Sequence, residues 1–354
     1  MKDALAIPGP LFVVGLSRSG TALVRAILNR NDQIALVGET HYFDDVRIRL
    51  GGGTRPLDAT GRLECEDYFL RLSHRPYGHG GTVAGARLDR AALRVRAAVL
   101  GGTADAHLRA FCELRAEEDG AAVWGEKTPR HVFRIDDIVG AFPTANVVCM
   151  VRDPRSVTLS YRDWRNQGGF DVDRDPDHVA ILEHETERAR RSYNLLIVSM
   201  LWRAQAQAAL QAVVAHGPER IRLQRYEDLV AEPELEIEAL CRFVGVAHDP
   251  EMAHVPMLNS SFSAFDAGTG VSREAVDRWR HGLSDEEVAV VQSVCATPMR
   301  RLGYELAPVR AGAGRLARHW AGLPAAGWQA VRANRDRMGA VVPYVSRRLR
   351  LLRA

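Results

Sequence analysis

The run Leu11-Phe12-Val13-Val14-Gly15 leads into the loop Leu16-Ser17-Arg18-Ser19-Gly20 and then into Thr21 to Asn29. No other stretch constrains the fold as much. Four successive apolar residues ending at a glycine read as a strand buried on both faces. Leu23, Ile27 and Leu28 then recur at helical spacing, with Ala22 and Ala26 alongside; Asn31-Asp32 breaks the helix, and Ile34 to Val37 reads as a second strand. Strand, glycine-bearing loop, helix, strand is a βαβ unit. It commits the chain to an α/β fold, a parallel sheet flanked by helices.

Further along, Asn146 to Val151 reads as another buried strand and Ile221 to Tyr226 alternates like one. Val132, Ile135, Ile138 and Val139 share a helix face that ends by Pro143. A long helical stretch covers about Val179 to His216, and helices are expected at Glu234 to Val244 and Asp285 to Leu302. The glycine-rich stretch from Gly51 to Thr103 is expected to hold helical pieces and loops on the acceptor side.

A loop between a strand end and a helix start presents unpaired N–H groups and the positive end of the helix dipole, which suits an anion. Ser19 and Thr21 add hydroxyls, Gly20 lets the backbone approach, and Arg18 adds a cationic fork. Arg18, Ser19, Gly20, Thr21 and Ala22 are therefore the first candidate ligand set. The spacing Gly15-x4-Gly20 is similar to an ATP-binding P-loop, but Thr21 stands where that motif needs Lys, which disfavours an ordinary NTPase.

The second candidate site follows the strand Asn146 to Val151. Arg152-Asp153-Pro154-Arg155-Ser156 turns the chain into a helix that carries Ser160. A cation and a hydroxyl thus meet near the carboxyl edge of the sheet, where open α/β sheets bind ligands. The competing reading is a local Arg152–Asp153 pair of little energetic weight.

Together these two motifs resemble the nucleotide-binding signatures of sulfotransferases that use 3′-phosphoadenosine-5′-phosphosulfate (PAPS). The nearest spacing is that of tyrosylprotein sulfotransferases and their bacterial relatives. The resemblance covers about residues 10–45, 120–165, 220–245 and 260–305. It implies a P-loop-like sulfotransferase fold over residues 1–305, with the 5′-phosphosulfate at the first loop and the 3′-phosphate at Arg152 and Ser160. It also implies that Glu39, in Gly38-Glu39-Thr40, is the general base and that Lys127, in Glu126-Lys127-Thr128-Pro129, contacts the transferring group. Tyr226, Ser263 and Arg278 match residues that the family places near the nucleotide, although the family has Lys at the last of these. His41 is a rival base, and it stands where tyrosylprotein enzymes carry a peptide-binding Arg. No metal is expected. The acceptor hydroxyl is left open among a glycan, a lipid-linked sugar, a phenolic small molecule and tyrosine.

Composition adds an argument for Lys127. Of 47 basic residues only Lys2 and Lys127 are lysines. A mid-chain lysine amid such arginine bias points to a site that rejects guanidinium, because a compact ammonium can follow a small group where a planar fork clashes. Two other functional classes stay in view: a P-loop-like kinase using ATP, and a non-catalytic module that binds nucleotide or docks on membrane. Thr21 and the lack of an evident Mg²⁺ carboxylate count against the first. The presence of both Glu39 and Lys127 counts against the second.

Charge is unevenly distributed. Residues 306–354 carry ten arginines against Asp336, a net +9, while the whole chain totals +3, so the body is −6 and nucleic acid is not expected as a partner. This Arg-rich tail, broken by Gly322, Pro324, Gly327, Gly339 and Pro343, is expected to form two or three short helices. They either lie peripherally on an anionic membrane or pack on the acidic body. Five cysteines in no metal-type spacing, and no basic-then-apolar leader in Met1 to Pro10, lead to the expectation of a reduced, cytoplasmic protein.

Overall fold

The structure is a computed structural model that describes residues 9–75, 81–164, 176–255, 273–335 and 341–353. Its centre is a five-stranded, wholly parallel sheet of β1 (Leu11–Gly15), β2 (Ile34–Val37), β3 (Val123–Lys127), β4 (Asn146–Val151) and β5 (Ile221–Arg225), in the order β2-β3-β1-β4-β5. Leu11, Phe12, Val13 and Val14 are all 1% exposed or less. Helices cover both faces of the sheet, which is why its strands are apolar runs rather than alternating ones.

Phe12, Val14, Val147 and Cys149 pack with Phe69, Leu93, Leu108 and Phe111 on one face. These partners come from helices Ala59–His74, Arg90–Val99 and Ala104–Glu118, so the helical pieces expected between Gly51 and Thr103 also form part of the core. Leu11, Val13, Val148 and Met150 pack on the other face with Val24, Ile27, Leu229 and Leu240. These belong to helices Thr21–Leu28, Tyr226–Ala231 and Pro233–Val244. A third cluster joins Leu195–His216 to Asp285–Arg301 through Trp202, Val291 and Cys295.

Three elements differ from the sequence reading. The strand β3 had no apolar signature, because its sequence is Val-Trp-Gly-Glu-Lys. Gly125 is there for close approach: a Cβ would lie 1.7 Å from the Leu11 carbonyl oxygen. The long helix from Val179 to His216 is two helices, Pro176–Ser192 and Leu195–His216, because the Asn194 side chain caps the second by accepting from the Ile197 N–H at 3.2 Å. The Val132–Val139 segment is a 3₁₀ turn, Pro129–Arg134, that runs into the helix Ile135–Ala141. The tail forms helices Ala313–Ala321, Leu323–Ala333 and Val341–Arg353, and the last two lie against Leu195–His216.

Candidate active site

Each strand delivers candidate residues at its carboxyl end: Arg18 to Thr21 after β1, Glu39 after β2, Lys127 on β3, Arg152 after β4 and Tyr226 after β5. A parallel sheet aims all its carboxyl ends one way. Chain connections also leave β1 and β4 in opposite directions, opening a crevice between those two strand ends.

The β1 loop is folded tightly at that crevice. The Ser19 N–H donates to the Leu16 carbonyl at 3.1 Å, and Arg18 (φ 72°) and Gly20 (φ 91°) are both left-handed. Arginine rarely adopts this conformation, and local strain of this kind concentrates at functional sites. Gly20 is required twice over, since a Cβ there would also lie 2.6 Å from Cδ2 of Tyr226. No side chain caps the helix Thr21–Leu28, so the N–H groups of its first turn, including those of Thr21 and Ala22, are oriented toward the loop.

The two motifs separated by more than a hundred residues touch directly. Arg18 Nε donates to Ser160 Oγ at 3.0 Å, and Arg152 Nη1 donates to the Arg18 carbonyl at 3.1 Å. Arg152 also donates from Nη2 to the Ala275 carbonyl at 2.7 Å, and its guanidinium lies 4.2 Å from the centre of the Tyr226 ring. The Tyr226 hydroxyl is raised above its ordinary pKa by burial, with Arg152 opposing. Asp153 pairs with Arg155 (Nη2 to Oδ2, 2.5 Å) rather than with Arg152, so the local-pair reading of Arg152 fails. Arg278 donates to Asp163 at 2.8 Å; burial lowers its pKa, and Arg152 and Arg162 push the same way. That places Arg278 beside the Arg152 cluster. Ser263 lies outside the described residues.

Two polar atoms here are buried without a hydrogen bond: Ser19 Oγ and Arg152 Nε. A buried donor left unsatisfied costs about 1–3 kcal/mol, so both are groups that could serve an acceptor-rich anion in the crevice.

Beside this cradle, Lys127 Nζ donates to Glu39 Oε1 at 2.6 Å, with the two side chains 8% and 16% exposed. His41 Nε2 lies 3.5 Å from the other oxygen, Glu39 Oε2. The rival base therefore stands against the favoured one rather than apart from it.

Sequence reasoning missed the group underneath. Glu126, 1% exposed, precedes Lys127 on β3, so the two side chains leave opposite faces of the sheet. Glu126 Oε1 meets His131 Nδ1 at 2.6 Å, while Oε2 accepts from Thr128 Oγ1 at 3.2 Å and from Thr40 Oγ1. The Thr40 N–H in turn donates to Thr128 Oγ1 at 3.1 Å, and the Tyr68 hydroxyl donates to the Thr40 carbonyl. A bond between Thr40 and Glu126 thus ties the β2 and β3 ends one residue away from the Glu39–Lys127 pair. The available signal was a polar triplet, Glu126-Lys127-Thr128, inside an otherwise apolar neighbourhood. Glu126→Leu strands the donors of Thr40, Thr128 and His131 in the interior. It is expected to lower unfolding free energy by about 2–4 kcal/mol in a denaturant titration. A loss below about 0.5 kcal/mol would show that the tie carries no load.

The sequence was compared with known proteins. The chain is 30% identical over 168 residues to carbohydrate sulfotransferase 5 of Homo sapiens, covering 45% of this chain and 39% of that protein. It is 27% identical over 175 residues to carbohydrate sulfotransferase 3 of Tetronarce californica, covering 45% and 36%. It thus spans about two fifths of the length of these curated relatives. The solved sulfotransferase domain from the curacin biosynthetic pathway aligns over 85% of this chain and 99% of its own, at TM-score 0.49 and 18% identity. The family model described as "Sulfotransferase family" matches residues 10–250, well over half of the sequence and every strand of the sheet. This chain belongs to the sulfotransferase family.

Proposed function

We propose that the protein transfers a sulfuryl group from PAPS to a hydroxyl acceptor, with a carbohydrate hydroxyl as the favoured class. The observation that carries this reading is the juxtaposition of an anion cradle, with its two orphaned buried donors, and a buried Lys127–Glu39 pair at the same sheet edge. The carbohydrate preference rests on the names of the curated relatives.

The donor, when bound, supplies the sulfuryl group and leaves as adenosine 3′,5′-bisphosphate. Ser19 Oγ and the first-turn N–H groups of Thr21 and Ala22 face the 5′ end, with Arg18 beside them. Arg152 and Ser160 hold the 3′-phosphate, and Tyr226 keeps Arg152 in place by lying under its guanidinium. Glu39 takes the proton from the acceptor oxygen as that oxygen attacks. Lys127 offsets negative charge that builds in the transition state, as cations do in the analogous phosphoryl transfers. The five cysteines are all free and buried, which supports a reducing, cytoplasmic setting.

Calorimetric titration with three nucleotides tests the donor assignment. Adenosine 3′,5′-bisphosphate is expected to bind about 10- to 100-fold more tightly than adenosine 5′-monophosphate, because the monophosphate forfeits charge-assisted bonds of about 1.5–3 kcal/mol at Arg152 and Ser160. Equal affinity would remove the 3′-phosphate site, and preference for ATP would favour the kinase reading.

A further inference from the structure

The tail sits on the body in a way that leaves several of its described arginines without an ion pair. In helix Leu323–Ala333 the inward positions are Leu323, Ala326 and Ala330, and Asn334 accepts a hydrogen bond from Arg188. In helix Ala313–Ala321, Leu316 packs against the cluster around Trp202, while Arg315 and His319 both meet Glu286. Attachment is thus mainly apolar. Arg318, Arg332, Arg335 and Arg350 are exposed and make no ion pair among the described residues. Attraction to the −6 body does not account for them.

The same helices expose large apolar groups. Trp320 is 46% exposed, Trp328 70%, Val342 77% and Leu349 49%. By contrast Trp202 and Trp279 are buried, at 1% and 5%. Trp328 and Arg332 lie at i and i+4 on helix Leu323–Ala333, so one helix face presents an indole beside a guanidinium, and Arg335 follows just past the helix end. Val342 and Leu349 repeat at i, i+7 on the last helix, with Arg350 beside Leu349.

We infer that the described tail helices Ala313–Ala321, Leu323–Ala333 and Val341–Arg353 form a peripheral docking surface for an anionic lipid bilayer. Unpaired arginines complement anionic headgroups, and the exposed tryptophans and aliphatics enter the headgroup–acyl boundary, where an indole has both an apolar bed and a polar rim. No described helix is long and apolar enough to cross a membrane, so the contact is with one leaflet surface. The helix Leu323–Ala333 packs on Pro176–Ser192, which touches the Ser160-bearing helix Pro154–Trp164, so docking holds the body close to the bilayer.

The test uses the full chain and no activity, so it stands or falls separately from the sulfuryl-transfer reading. The protein is expected to co-sediment with phosphatidylserine-containing vesicles and not with pure phosphatidylcholine ones. Arg332→Glu combined with Arg335→Glu should weaken binding about tenfold or more, and Trp320→Ser combined with Trp328→Ser should weaken it comparably. In the unaltered protein, brominated lipids should quench tryptophan emission, and Trp320→Phe combined with Trp328→Phe should lose most of that quenching, a conservative change that keeps the arginines and the aromatic bulk in place. Absent sedimentation, or binding indifferent to both pairs of substitutions, would overturn the inference. So would binding to single-stranded RNA that depends on the arginines and not on the tryptophans, since that would make the surface a general polyanion site.

Discussion

Lys127→Arg is expected to cut turnover with PAPS by about 10²–10³-fold while adenosine 3′,5′-bisphosphate affinity stays within about twofold. The substitution conserves charge, so a purely electrostatic role predicts near-normal activity. The geometry argues otherwise. Lys127 is 7% exposed, and its ammonium already lies 2.6 Å from Glu39 Oε1. A guanidinium in that space is wider and planar, and its preferred partner is a carboxylate gripped by both oxygens. It would hold Glu39 in a two-point pair and keep the base from the acceptor proton, besides failing to follow the transferring group. Steady-state turnover beside a calorimetric nucleotide titration decides it. Near-native turnover would reduce the single mid-chain lysine to an accident of composition.

Glu39→Gln is expected to lower turnover by about 10²–10⁴-fold, the usual range for loss of a general base, with donor affinity kept. Glutamine keeps the shape and can still accept from Lys127, so the change isolates proton acceptance. His41→Ala is expected to cost far less, below about tenfold, because His41 reaches Glu39 at the second oxygen, Oε2, at 3.5 Å, away from the oxygen that Lys127 holds. The pair of variants is informative in either direction. Activity that survives Glu39→Gln and vanishes in His41→Ala would make His41 the base and Glu39 its orienting partner.

Local motifs were legible in the sequence because each is made by neighbours along the chain. The strand, loop and helix from Leu11 to Leu28 declare themselves through an apolar run, a glycine and a helical repeat, and the Arg152–Ser160 turn does so in the same way. Strand β3 did not, because a strand next to the centre of the sheet usually announces itself by apolar residues, and this one gives its last two positions to the site. Gly125 further weakens the pattern, and only the approach of Leu11 explains it. The buried tie through Glu126, Thr40, Thr128 and His131 was invisible for a related reason, since its partners are up to 88 residues apart.

Sequence alone therefore determined the parallel α/β class and placed the two glycine- and arginine-bearing turns at strand ends, both of which rest on short-range patterning, while the expectations for Glu39 and Lys127 came with the family resemblance. The tertiary structure decided what those residues face. Strand order places Lys127 between the Glu39 and Arg18 ends, and burial joins Arg18 to Ser160 and Arg152 to Tyr226. Packing also decided which tail groups stay outside, leaving Arg318, Arg332, Arg335 and Arg350 exposed beside Trp320 and Trp328. Such outcomes depend on which surfaces meet when the sheet and its helices close on one core, and no window along the chain records that.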